Sequence, residues 1–227
     1  MVSYMDAPEM LTVLRKREGW AEAVVKLKEL AEQKGDDARD AARAYANVYE
    51  GRRGAMVFDV VASRQRKYMT RVRPLVTKWE GAVAAPTLRE MASTPLKAED
   101  YGLTSREPTT MRTVATNLPE LAEDEGLSDD EACRLWADGV DGLQHAYRLD
   151  PVVGSVSGIG PALFAYMRMR CGANTLKADV RVTKALHGLG FTTPSDAHSV
   201  ITIAQGAAAE VGLDLLSLDQ LLWDWKG

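Results

Sequence analysis

Cysteine is nearly absent: Cys133 and Cys171 are the only two. Two thiols can form one disulfide but cannot complete a four-thiolate iron–sulfur cluster. Both are read as reduced thiols in a cytoplasmic protein. Histidine is scarce too. His145, His187 and His198 lack metal-ligand spacing and read as surface or hydrogen-bonded core side chains. Aromatic residues make up only 7%. No long apolar run exists. The longest uncharged stretch, from Pro151 to Met167, is interrupted by Gly154, Gly158, Gly160 and Pro161 and is too short to span a bilayer. No membrane is expected as a partner. The opening MVSYMDAPEM has neither the basic nor the apolar region of a signal peptide. No stretch alternates apolar and polar residues long enough to demand a strand.

Helical periodicity fills the chain instead. Its 227 residues are 46% hydrophobic and 26% charged, enough for one domain or two joined lobes. Trp20, Val24, Leu27 and Ala31 share one helical face; Met111, Val114 and Leu118 share another. Val57, Val60 and Val61 supply an apolar stripe from Met56 onward, and Met167 and Met169 read as core. Ser128 reads as an N-cap with acids at 129 and 130 and a capping-box Glu131. Thr193 before Pro194 opens a helix that ends at Gly212, and Ser217 with Gln220 repeats the capping box. DVRVTKAL alternates briefly but continues to Leu186 as a helix. Loops are expected at 51–54, 81–86, 95–108 and 150–158.

Charge is polarised within a net −4. From Gly51 to Lys78, eight bases (Arg52, Arg53, Arg64, Arg66, Lys67, Arg71, Arg73 and Lys78) face one acid, Asp59. From Asn117 to Asp141, nine acids face Arg134 alone. The basic segment is either a solvated face or, together with the bases near Asp179, an electrostatic footprint for phosphates.

The sequence VSGIGPALFAYMRMR sets Gly158-Ile159-Gly160 and Pro161 before an apolar helix. Glycine allows positive φ and close backbone approach; proline suits the first helical position. The outcome is a tight turn with amides free at a helix start, a geometry that binds anions. A plain interhelical turn would look the same. Downstream, Asp179 lies among Lys177, Arg181 and Lys184.

In this order (V-S-G-I-G, an apolar helix, then A-D-V-R-V-T-K-A-L-H-G-L-G) the chain resembles the helix-hairpin-helix DNA glycosylases. These include endonuclease III and the mispair-adenine, alkyl-adenine and oxoguanine enzymes. MVFDVVASRQRKY resembles their early helix and S-x-Q segment, YGLTSREPTTMRTVATNLPEL their middle helix, and GLDLLSLDQLLW their closing helix. The likeness covers about Met56 to Trp225. It implies an all-α fold of two helical lobes, one at 54–170 and one at 1–53 plus 171–227, with the hairpin at the cleft between them. It implies catalysis by Asp179, which would stabilise an oxocarbenium-like sugar or activate water after base flipping. Against this stands the bland role of capping the following helix.

The resemblance also implies that Gly158, Gly160, Gln65, Arg64, Lys177 and Arg181 contact duplex DNA. Gln65 would fill the hole left by the base. The carbonyls of Gly154, Val156 and Ile159 would hold a monovalent cation, potassium or sodium. No other cofactor is implied. The chain departs from the family where Ala162 replaces the Schiff-base lysine, so a monofunctional enzyme is expected. Arg181 replaces a common histidine, and Phe164, followed by Ala165, replaces a small residue. Lys177 reads as a phosphate contact rather than a displaced amine. Tyr45, Tyr49, Tyr68 and Trp136 can stack on a base but read first as core. The expected partner is double-stranded DNA, met by a monomer. Ordinary lesions come first as substrates. A hypermodified base such as glucosylated hydroxymethylcytosine in phage DNA, and so antiphage defence, comes second. A non-catalytic DNA-binding module and an all-helical protein-interaction domain are the alternatives outside catalysis.

Overall fold

The computed structural model describes residues 7–120 and 126–225. Among them are eleven α-helices and no strand, so the fold is all-α. The chain divides into two compact units, 1–44 with 174–227 and 45–173. The acids Glu123, Asp124 and Glu125, and Leu121 of the middle segment, lie outside the described residues.

The first unit holds α1 (Ala7–Leu14), most of α2 (Trp20–Asn47), α9 (Val180–Leu189), α10 (Ala197–Val211) and α11 (Leu215–Trp223). Helix α10 packs on α1 and α11, and α11 packs on α9. The stripe of Trp20, Val24 and Leu27 is buried, and Trp20 meets Phe191 edge-on at 5.0 Å. Full burial of each such side chain contributes about 1.5–3 kcal/mol.

The second unit holds the end of α2 with α3 (Arg53–Ala62), α4 (Arg73–Glu80), α5 (Leu88–Ser93), α6 (Glu107–Glu120), α7 (Asp129–Gly139) and α8 (Pro161–Arg170). Helix α3 is buried along its whole length and packs on α4, α5, α6, α7 and α8. Its sequence is apolar on every side except for Arg53 and Asp59, which is what a central helix requires. Helix α8 is likewise buried from Leu163 to Arg170, with Met167 and Met169 in the core. Met111, Val114 and Leu118 are buried, and Ser128 and Glu131 form the capping box.

Several local expectations shift. Helix α3 starts inside the expected 51–54 loop. Helix α10 is capped by Asp196, whose carboxylate accepts from the Ser199 N–H at 2.8 Å, and not by Thr193. Thr193 is held elsewhere: its N–H donates to the His187 ring at 3.2 Å, and its carbonyl lies 3.0 Å from the same nitrogen. Helix α11 begins at Leu215 with Asp214 as its cap. Ser217 donates to Asp214 through both N–H and hydroxyl, and so occupies the third helical position instead of the cap. The stretch between α7 and α8 holds 3₁₀ turns at Asp141–Leu143 and Tyr147–Leu149, not an α-helix. A regular helix thus follows the glycine turn, and only 3₁₀ turns precede it. Pro151 disfavours α geometry at Asp150, which ends the second of these turns. No single helix among the described residues is long and apolar enough to cross a membrane. Helices α10 and α11 pass together by composition, but they meet at a 98° bend.

Candidate functional site

The unit at 45–173 carries two of the expected DNA-contacting segments, and α6 holds both. Glu107, Thr110 and Asn117 lie along one face of α6 at i, i+3 and i+10. The Glu107 carboxylate takes both Arg66 guanidinium nitrogens, at 2.6 and 2.8 Å, and the Thr104 N–H at 2.6 Å. Burial opposes ionisation of Glu107, but Arg66 and Thr104 outweigh it and hold the carboxyl below its usual range. Three residues on, about 4.5 Å along the helix, the Thr110 hydroxyl donates to the Ser157 carbonyl at 2.7 Å. The Asn117 amide donates to the Val152 carbonyl at 2.9 Å.

The glycine turn is built from inside by Asp150. Its buried carboxylate accepts the N–H groups of Val152, Val153 and Gly154 and the Trp136 indole. Gly154 is glycine because a Cβ there would fall 1.8 Å from the Tyr147 carbonyl oxygen. Gly158 has φ +95° and packs against Thr110. Gly160 differs from both. Its φ is −112°, and a Cβ there would meet nothing within 4 Å. Gly160 is the N-cap of α8, a position that glycine suits, and it leaves the backbone there uncovered by a side chain. Pro161 follows at the first position of α8. Of the three carbonyls expected to hold a cation, that of Val156 already accepts the Ile159 N–H at 3.0 Å. Its second lone pair stays available.

Arg64 and Gln65 lie at the C-terminal end of α3, and both are exposed. Gln65 has φ 55°, the one positive value at a non-glycine residue among those described. That conformation costs about 1–2 kcal/mol, and such strain gathers at functional sites. Directly after it, Tyr68–Val72 forms a π-helical turn. Half of the basic segment is committed elsewhere. Arg52 pairs with Glu80, the fully buried Arg53 with Asp130, and Arg66 with Glu107, while Lys78 donates to the Asp100 carbonyl. Arg64, Lys67, Arg71 and Arg73 stay exposed and form no ion pair among the described residues.

Behind the π-turn lies a buried polar cluster. Asp59 is 0% exposed. It accepts from the Tyr166 hydroxyl at 2.8 Å, from Arg170 at 3.2 Å and from Tyr68 at 3.4 Å. Arg170 also donates to the hydroxyls of Tyr68 and Tyr166, and its guanidinium stacks on Tyr45 at 3.6 Å. Burial, aided by the Asp59 charge, pushes the Tyr49 and Tyr166 hydroxyls far above the ordinary phenol range, so both stay protonated donors. Burial opposes charge on Arg170, yet the surrounding tyrosines and Asp59 keep it cationic. Tyr45, Tyr49 and Tyr68 thus surround an arginine, and Trp136 is core.

The other unit brings Lys177, Asp179 and Arg181 together around the start of α9. Asp179 is its N-cap: one carboxylate oxygen accepts the N–H groups of Arg181 at 2.9 Å and Val182 at 3.1 Å. The other oxygen lies 3.6 Å from the Lys177 ammonium. The side chain keeps 26% of its surface exposed. Lys177 is anchored by its own N–H on the buried Asp219, at 3.2 Å. Arg181 folds back over the Trp223 ring at 3.7 Å and donates to the Trp223 carbonyl. Its guanidinium is therefore held by the end of α11.

Comparison with protein-family models, curated proteins and solved structures returned no match. The resemblance to the glycosylases stays a likeness of motifs.

Sequence reasoning missed Asp59, Arg170, Asp150 and the α6 stripe. Asp59 had a signal: a lone acid within the apolar run MVFDVVA must be paired if the run is buried. Asp150 before Pro151 was another, since Asx–Pro favours a side-chain-capped turn. Arg170 carried none, because a base in the last turn of a helix is ordinary. Cys133 and Cys171 are both buried free thiols, and the Cys171 thiol and burial together push Cys133 up.

Proposed function

We propose that the protein is a monofunctional DNA N-glycosylase. It would flip a damaged or modified base from duplex DNA and hydrolyse the N-glycosidic bond. Asp179 carries the reading. Two backbone amides fix one of its oxygens, and this leaves the other partly exposed beside Lys177. A carboxylate oriented in this way can stabilise positive charge on a sugar ring or take a proton from attacking water. Breaking the C1′–N bond leaves the electron pair with the base, and water supplies the hydroxyl at C1′ and the proton for the departing base.

The phosphates would meet the glycine turn at Gly158 and Gly160, where the first amides of α8 are unpaired in the helix. Gln65 and Arg64 would enter the duplex from the same unit, and Lys177 would meet a phosphate near the sugar. Arg181 then acts through Trp223, by shaping the ground beside Asp179. Ala162 supplies no amine for a Schiff base, so the product is an intact strand with an abasic site.

Two results are expected. Gly160→Ala should change stability by less than about 1 kcal/mol, as an N-cap glycine replaced without a clash. It should also weaken duplex binding by roughly tenfold, or 1.4 kcal/mol; fluorescence anisotropy together with melting reads both. Unchanged affinity would remove the glycine turn from the interface. Second, a panel of lesion duplexes and intact modified phage genomes should show strand breaks only after alkali, and borohydride should trap no covalent adduct. A trapped adduct through Lys177 would contradict the monofunctional reading. One observation favours a hypermodified base as the substrate. Tyr45, Tyr49, Tyr68 and Trp136 are engaged in the protein's own contacts, which leaves few rings to sandwich a planar base. Release from phage DNA alone would assign that substrate and a role in antiphage defence.

A further inference from the structure

The segment from Asn174 to Arg181, which carries Asp179, is fastened to α11 at three points. At the start of α11 the Asn174 side chain accepts the Leu215 N–H at 2.7 Å. One turn on, the Asp219 carboxylate accepts the Lys177 N–H at 3.2 Å. A further turn on, the Trp223 carbonyl and ring take the Arg181 guanidinium. Leu215, Asp219 and Trp223 recur every four residues, about 6 Å apart along the helix, and so lie on one side of it. Thr175 and Leu176, between the first two points, are both 0% exposed. Asp219 is the unexpected member. Helix α11 is buried from Leu215 to Leu222 except at Gln220, and a carboxylate placed there costs free energy unless it is hydrogen-bonded. Its oxygens take the Lys177 N–H and, at 3.3 Å, the Gln220 amide.

Lys177 passes this contact on. Its carbonyl accepts the Asp179 N–H at 2.7 Å, so a three-residue turn joins the anchored residue to the acid. Its ammonium lies 3.6 Å from the Asp179 oxygen that the helix amides do not take. Where Lys177 stands therefore sets both the carboxylate and the cation beside it. We propose that Asp219 is a positioning residue for the Asp179 site: through the Lys177 backbone it fixes where the Asp179 carboxylate and the Lys177 ammonium stand. Such support from behind matters because a reacting group must be held to within a fraction of an ångström. The effect on turnover rests on the proposed function, whereas the effect on the geometry of the site does not.

The test uses the full chain and three variants. Asp219→Ala removes the acceptor of the Lys177 N–H, and Asp219→Asn keeps an oxygen for it. Asp219→Glu keeps the acceptor but moves it out by one carbon, and so tests displacement even if the alanine variant folds poorly. Amide hydrogen exchange at Arg181 and Val182, the two amides that grip Asp179, reads the geometry without any substrate. Single-turnover base release and duplex affinity, measured on the lesion and phage duplexes, read its use. Asp219→Ala should speed exchange at both amides by about tenfold or more. It should slow base release by roughly 10- to 100-fold, with duplex affinity within about twofold. Asp219→Glu should slow base release in the same direction, and Asp219→Asn should stay near the wild-type protein in all three readings. Unchanged exchange in both Asp219→Ala and Asp219→Glu would overturn the proposal, whatever the protein does to DNA. So would a loss of affinity in step with the loss of turnover, or an asparagine variant that melts like the wild-type protein and fails like alanine. If the wild-type protein releases no base while exchange responds as expected, the positioning role stands and the glycosylase reading falls.

Discussion

Asp179→Asn is expected to lower base release by at least about 10²–10³-fold, the usual loss when one electrostatic contact to a charged transition state is removed. The same change should leave the melting temperature within about 2 °C. Asparagine caps a helix as well as aspartate does. Its amide oxygen can accept the Arg181 and Val182 N–H groups that the carboxylate oxygen accepts now. The variant therefore keeps the cap and loses the charge. Asp179→Ala is the control, because it loses both. It should cost about 1 kcal/mol of stability, or about 2–4 °C for a chain of this size. If asparagine melts like the wild-type protein and turns over equally well, Asp179 is a cap and nothing more.

Arg170→Met is expected to destabilise the 45–173 unit by about 3–5 kcal/mol, the typical cost of removing one partner from a buried ion pair. Arg170 is 4% exposed and Asp59 is 0% exposed. Methionine matches much of the arginine stem but leaves the Asp59 charge without its ion-pair partner. At about 2–4 °C per kcal/mol, the melting temperature should fall by about 10 °C. Adding Asp59→Leu should restore much of the loss, since replacing both members of a buried pair by apolar groups is often neutral. Chemical denaturation of the two variants measures this. A loss below about 1 kcal/mol in Arg170→Met would show that Asp59 is satisfied without the guanidinium.

What the sequence disclosed, and what it hid, follows from the range of the interactions. The buried faces were legible because helical periodicity is local: Trp20, Leu27, Met111 and Leu118 are all core, as their spacing requires. The Ser128–Glu131 box was legible for the same reason. The Thr193 and Ser217 caps were misplaced because competing partners decided them. His187 claims Thr193, and Asp214 claims Ser217 from three residues upstream. Charge counting along Gly51 to Lys78 recovered four cations without an ion pair among the described residues and four committed ones. It could not separate them, because Glu107 and Asp130 come from distant helices. The Asp59 cluster joins side chains more than a hundred residues apart and left only the lone acid as a clue. Asp179 was singled out by its motif, and its cap geometry suits a catalytic and a structural role alike.

The most direct measurement is mass spectrometry of free base released from lesion-bearing and hypermodified duplexes by the full chain, with abasic sites counted in the same reaction. Released base and abasic sites are expected in equal amounts from at least one duplex, and neither with Asp179→Asn. Duplex binding without base release from any member of the panel would contradict it.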